Sequence, residues 1–285
     1  DLGVTWISVV TTVYQDQFDS TEIYFDPSKT MTDADISQVV NRWHCLGRPA
    51  IIKPHLDLAN DPMHWRGQIA FSNEADWQAW FASYRQMIYY YAELAEELKV
   101  ELFIIGTELA GTSSRSADWQ ETIAGVQARF SGQITYAANW DGEAESIDWW
   151  PALDFIGVDA YYPVSQQSDP TVEELKMAWQ PIADQLEALS TANGRPLIFT
   201  EIGYTSRNGT AMRPWDNSTP GTLDLQEQAD CYQAAMEVFW DKPWFRGFLW
   251  WYWQPFAEQG GPQDLDFTPH GKPAEEVLES FYGAL

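Results

Sequence analysis

Short runs of apolar, β-branched and aromatic residues alternate along this chain with longer stretches whose apolar residues recur at helical spacing. The strand-like runs are Thr5–Tyr14, Ala50–Leu56, Val100–Leu109, Gln133–Trp140, Asp154–Tyr162, Pro196–Tyr204 and Arg246–Trp253. Helices are predicted over Thr32–Leu46, Asn73–Leu98, Asp118–Phe130, Thr171–Ala192, Leu225–Trp240 and Pro273–Tyr282, with Thr32 and Asp33 as plausible caps. Strands alternating with helices imply parallel βαβ units, so the fold class is α/β and the expected architecture a (β/α)8 TIM barrel. Seven strands are visible where a closed barrel needs eight. The first begins almost at residue 1 and Pro273–Tyr282 reads as a closing helix, so the first βα unit is expected upstream of Asp1 and the visible strands would be strands two to eight. No linker or repeat divides the chain, and residues 1–285 are read as one catalytic domain.

Composition narrows the partners. The 285 residues carry a net charge of −26, from 42 acidic and 16 basic side chains. Such a surface repels phosphate backbones and anionic lipid, but not a neutral substrate. No apolar run is long enough to span a bilayer, no signal peptide is visible, and the compartment stays open. A monomer is expected. Cys45 and Cys231 are too few for a disulfide framework and read as buried free thiols. The 16 Trp and 13 Tyr fit either a large aromatic core or sugar-stacking platforms, and composition does not separate the two.

Two strand ends carry candidate chemistry. Leu102–Glu108 and Pro196–Tyr204 are apolar runs leading to Glu108 and Glu201. In parallel α/β barrels the strand C-termini form the active face. A lone carboxylate there reads equally as a salt-bridged strand end, but two at equivalent positions favour a task. Their separation over three βα units fits a unit of about 30 residues. Lys53, His55 and Asp57 share one face of an early strand, where each polar group needs a partner. One His and one Asp are too few for a metal, and His44, His64 and His270 lack ligand spacing, so no metal is expected. Period-two alternation aligns Gly106 with Glu108, sets Asn139 at a strand end, and puts Asp159 and Tyr161 on one face and Trp251 and Trp253 on another. Trp65, Arg66, Trp140 and Trp215 fall in loops and are candidate substrate contacts, weighed evenly against packing.

Seven motifs in register with these strands carry a resemblance: Lys53-Pro-His-Leu-Asp57, His64-Trp-Arg-Gly67, Ile105-Gly-Thr-Glu-Leu109, Thr135-Tyr-Ala-Ala-Asn-Trp140, Phe155-Ile-Gly-Val-Asp-Ala-Tyr-Tyr-Pro163, Phe199-Thr-Glu-Ile-Gly-Tyr204 and Phe248-Leu-Trp-Trp-Tyr-Trp253. Together the chain resembles glycoside hydrolase family 113, the β-1,4-mannanases, in the clan of (β/α)8 glycosidases with catalytic Glu on strands four and seven. The resemblance implies a retaining endo-β-1,4-mannanase that needs no cofactor, with Glu108 as acid/base and Glu201 as nucleophile. The acid role requires Glu108 to hold a proton near working pH, which burial beside a second carboxylate favours. Tyr161 is expected to donate its hydroxyl to Glu201, and Trp251 or Trp253 to underlie the sugar at the cleavage point. Many clan members have Asn before the acid/base to bind the sugar 2-OH. Here it is Thr107, which fits either the axial 2-OH of mannose or a plain strand residue. Two alternatives stay open: the same chemistry on a β-1,4-glucan or xylan, and a non-catalytic sugar-binding barrel.

Overall fold

The computed structural model of the protein describes residues 2–253 and 258–283. By Cα proximity the chain gathers into two compact units, residues 5–158 and residues 1–4 with 159–285.

The first unit holds β1 (Ile7–Gln15), α1 (Asp33–His44), β2 (Ala50–Leu58), α2 (Glu74–Leu98), β3 (Leu102–Thr107), α3 (Ser116–Gln127), β4 (Gln133–Asn139) and the four-residue α4 (Glu143–Ser146). β5 (Ile156–Asp159) carries the chain across the boundary. β1, β2, β3 and β4 are successive parallel neighbours. β3 is buried throughout, as expected of a parallel strand covered on both faces. α1 opens on a capping box, with Thr32 accepting from the Asp35 amide and Asp35 returning the bond. Asn73 caps α2 in the same position, and Lys99 ends it in the left-handed region.

Aromatic rings fill this unit's core. Trp80 stacks on Tyr84 and Trp119 on Trp149, each pair at 5.0 Å between centroids. Four buried indoles here find an acceptor: Trp80 on Gln15, Trp119 on the Thr112 carbonyl, Trp149 on that of Ser113 and Trp150 on that of Ala144. Much of the tryptophan surplus is therefore core whose polar edges tie down loops.

The second unit holds α5 (Val172–Asn193), β6 (Leu197–Ile202), α6 (Leu225–Phe239), β7 (Phe245–Trp250) and α7 (Pro273–Tyr282). β6 and β7 pair in parallel. A Thr171–Glu174 capping box starts α5 and left-handed Gly194 ends it. Trp179, Phe199, Phe239 and Phe245 form its aromatic core.

The seven strands and six long helices fall where periodicity puts them, with differences at their ends. β5 spans only four residues. Before it, the Asp154 carboxylate accepts from the Ile134 amide, and after it the chain bends so that the Tyr161 amide meets the Asp159 carbonyl. β3 stops at Thr107 because Glu108 adopts a left-handed backbone. Cys231 is buried as expected, but Cys45 is exposed, because it lies one residue beyond α1 on the solvent side of the cap.

Candidate active site

In the first unit Glu108 follows β3 with φ of 53°. That conformation costs a residue with a side chain about 1–2 kcal/mol. A register shift between Ile104 and Thr107 precedes it, and the Glu108 amide still reaches the Ala137 carbonyl at 2.8 Å. The bulge and the left-handed turn aim the carboxyl off the strand end. Asn139 donates from Nδ2 to Glu108 Oε1 at 2.9 Å. Arg66 donates from Nη1 to Oε2 at 3.2 Å and from Nε to Asp57 at 3.1 Å, so the two carboxylates share one guanidinium.

Asp57, Trp65, Arg66 and Glu108 line one cavity of about 360 Å³ with Tyr14, Lys29, Leu58, Ala59 and His64. Trp65 is 43% exposed, and its ring lies over Gly67, where any Cβ would collide with it. The Gly111 amide bonds the Gly67 carbonyl and fastens this loop to the segment after Glu108. Lys53 and His55 are buried on β2, and Trp140 is half-buried past the end of β4. Thr107 is 1% exposed, and its hydroxyl donates to the Pro54 carbonyl at 3.3 Å.

Gly106 does not face the site. A Cβ there would meet Tyr136, Tyr84 and Trp119 within 3.0 Å, so that position packs against the aromatic core. Period-two parity with Glu108 fails because the left-handed turn intervenes.

In the second unit Glu201 lies within β6 and is 7% exposed. The Tyr161 hydroxyl donates to its Oε2 at 2.7 Å. The Ala160 amide bonds the Glu201 carbonyl at 2.7 Å, and Thr200 donates to buried Asp159 at 2.7 Å, which ties the strand to the end of β5. The Trp251 amide bonds the Ile202 carbonyl at 2.7 Å. Trp251 is half-buried, whereas Trp253 is 47% exposed with its ring 5.1 Å from His270. Trp215 is 45% exposed on the long loop before α6.

Sequence reasoning missed the polar groups behind these residues. Glu143, 3% exposed, accepts from the Asn139 amide at 2.7 Å, from Tyr136 at 2.6 Å and from Ser113. Burial pushes its carboxyl up to about 7, with the Glu108 charge adding to the shift and the three donors opposing it. In the second unit Glu227 accepts from the Gly209 and Ala211 amides and orders the turn after β6. Buried Lys272 donates to Asp264 and to the Asp266 carbonyl, and burial lowers its pKa. A polar residue inside an otherwise apolar helix face, as at Glu227 and Gln228, is the one signal that could have flagged such groups. Among the described residues no group of three His, Cys, Asp or Glu is arranged to hold a metal ion, and no helix is long and apolar enough to cross a membrane.

The sequence profile of Glycoside Hydrolase Family 113 matches residues 1–272. A GH113 β-mannanase from Alicyclobacillus acidocaldarius, solved in complex with ManMIm, is 31% identical over 99% of this chain and 88% of its own, with a TM-score of 0.88. A GH113 β-1,4-mannanase solved as a complex is 29% identical over 100% of this chain and 89% of its own, with a TM-score of 0.89. A Ruminococcus gnavus β-glucuronidase shares the fold alone, at 16% identity and a TM-score of 0.59 over 85% of this chain and 42% of its own. No curated protein matches the chain.

Proposed function

The chain belongs to glycoside hydrolase family 113 and is a glycoside hydrolase, and on that footing we propose that it is a retaining endo-β-1,4-mannanase with Glu108 as acid/base and Glu201 as nucleophile. The observation that carries the reading is the family match over residues 1–272, with both glutamates at strand ends and each held by its own donor. The two GH113 structures compared above are of β-mannanases, which supports mannan as the substrate class.

The chemistry follows from what each carboxyl touches. Retaining hydrolysis needs two carboxyls about 5–5.5 Å apart, one attacking the anomeric carbon while the other protonates the leaving oxygen. The Tyr161 hydroxyl donates a hydrogen bond to Glu201, which favours the ionised, nucleophilic form. Glu108 accepts from a neutral amide, which tolerates either protonation state of the carboxyl through its second oxygen. Arg66 favours the charged form of Glu108, and Asp57 draws the guanidinium the other way. A sugar hydroxyl competing for Arg66 would release Glu108 to carry the proton. Once the glycosyl ester forms, Glu201 is neutral, and Glu108 takes a proton from the attacking water.

The test is reducing-end release from β-1,4-mannohexaose, cellohexaose and xylohexaose by the wild type and Glu201→Ala. Cleavage selective for mannohexaose and lost in the variant is expected. Selective cleavage of another hexaose would discard mannan and keep the mechanism. Cleavage of none by a folded protein would favour a sugar-binding role.

A further inference from the structure

Resting on the reading of Glu108 as acid/base, we propose that Glu143 is a positioning residue, holding the Glu108 carboxyl on the leaving-group oxygen through two hydrogen-bond chains, one ending on that carboxyl and one on the amide of the next residue. Glu143 lies on α4, just past β4, and is not among the residues that line the Glu108 cavity. The first chain runs through Asn139: its backbone N–H donates to Glu143 Oε2 at 2.7 Å, and its side chain donates to Glu108 Oε1 at 2.9 Å. One residue thus carries Glu143's hold directly to the carboxyl of Glu108.

The second chain runs through Tyr136. Its hydroxyl accepts the Leu109 N–H at 2.7 Å, so its own proton goes to Glu143 Oε1 at 2.6 Å. Leu109 immediately follows Glu108, whose left-handed backbone has no strand ladder beyond it to keep the turn in place. Ser113 adds a third donor to Glu143, the second on that oxygen, from the segment after that turn.

The chemistry of the three partners calls for a carboxylate. Each brings a proton, and two of them converge on one oxygen. An amide at this position would either set its NH2 against the Asn139 N–H, donor facing donor, or turn it to the two hydroxyls and take away the acceptor of their protons. Burial of Glu143, beside a Tyr136 ring that packs on Trp149 and Trp150, makes such a mismatch costly. It also makes a carboxyl expensive to keep, and burial pushes this one up to about 7.

A positioning role predicts a leaving-group signature that simple loss of stability does not give. Glu143→Gln is assayed for kcat/KM on β-1,4-mannohexaose, whose leaving oxygen needs a proton, and on 2,4-dinitrophenyl β-mannobioside, whose phenolate leaves unaided. The expected result is a loss of about 10- to 100-fold on the hexaose and little change on the dinitrophenyl substrate. Tyr136→Phe keeps the ring, cuts only the Leu109 chain, and is expected to shift the ratio the same way; it decides the matter if the Gln variant does not fold. Glu108→Ala is the control. Equal losses on both substrates, or none, in Glu143→Gln and Tyr136→Phe overturn the positioning role if Glu108→Ala itself discriminates between them. Failure of Glu108→Ala to discriminate overturns the acid/base reading and the proposal with it.

Discussion

The two strand ends that bear glutamates are built differently. Glu201 stays inside β6, 7% exposed, with a phenol donating to its carboxylate and both neighbouring strand positions pinned. Glu108 stands one residue beyond β3 on a left-handed turn, held by an amide and by a guanidinium shared with Asp57, with a second buried carboxyl behind it. The difference matches the two proposed tasks. A nucleophile works in one charge state, and a rigid strand with a strong donor keeps it there. A group that gives up a proton and takes it back needs partners that fit both states and a setting whose charges can be rearranged.

The sharpest way to break that contrast is to delete each carboxyl and let azide take its place. Glu201→Ala is expected to lose at least about 10⁴-fold in kcat on mannohexaose, and Glu108→Ala about 10²–10⁴-fold. Azide stands in for a missing nucleophile from the opposite face of the sugar and for a missing base on the ester already formed. NMR of the products should therefore show the α-mannosyl azide from Glu201→Ala and the β-mannosyl azide from Glu108→Ala. The reverse pairing would exchange the roles of the two ends.

A single donor comes next. Tyr161→Phe leaves the ring and removes the hydroxyl that meets Glu201 at 2.7 Å. The expected cost is about 10²-fold in kcat with KM nearly unchanged, since the bond matters most as charge shifts off the carboxylate. An unchanged kcat would mean that the rigid strand alone suffices.

Arg66 separates the ends by charge. Replacing it with Met removes the cation beside Glu108, so the limb of the kcat/KM profile that reports the acid should move to higher pH. Removing a charge from this end should leave the limb set by Glu201 in place. Movement of both limbs together would show that the two carboxyls titrate as one unit.

Glu143 gives the Glu108 end a stability signature as well. Its carboxyl sits near 7 in the folded chain against an ordinary 4.5. The folded state therefore binds the proton more tightly, so the stability gained is full below pH 4.5 and is lost as pH rises through 7. Glu143→Gln cannot titrate. Between pH 5 and pH 8 the Tm of the wild type should fall relative to the variant by about 5 °C. A constant gap would put the ionised carboxylate in the fold at both pH values.

Much of this was legible from single residues in the sequence. Glu108 and Glu201 each end a short apolar run, and Tyr161 follows another, so alternation and strand ends lead to them directly. The seven strands and six long helices are legible for the same reason, since their patterns are local. What alternation misreads is the stretch around Glu108, where one bulge and one left-handed residue turn Gly106 toward the core. Glu143 leaves no mark at all. Its meaning comes from Ser113, Tyr136 and Asn139, which only the folded chain gathers around it. The tryptophans divide in a way that composition hides: Trp80, Trp119, Trp149, Trp150 and Trp179 are core, while Trp65, Trp215 and Trp253 reach solvent.

Thr107 carries the smallest expected effect and tests how far the Glu108 end reads the sugar. Its place before the proposed acid/base makes it a candidate for the axial 2-OH of mannose. In the structure it is 1% exposed, and its proton goes to the Pro54 carbonyl, which stitches β3 to β2. A hydroxyl committed to a backbone acceptor inside the sheet has only its lone pairs left for a sugar. Thr107→Val keeps the shape and removes the oxygen. The expected outcome is a loss of about 1 kcal/mol in stability, from the unpaired carbonyl, with kcat/KM on mannohexaose within about threefold of the wild type. Selectivity for mannohexaose over cellohexaose should be kept, because on this geometry the 2-OH is recognised by other groups. A collapse of that selectivity, with mannohexaose alone affected, would mean that the hydroxyl turns from Pro54 to the substrate on binding. The Glu108 end would then select the sugar as well as protonate its leaving group.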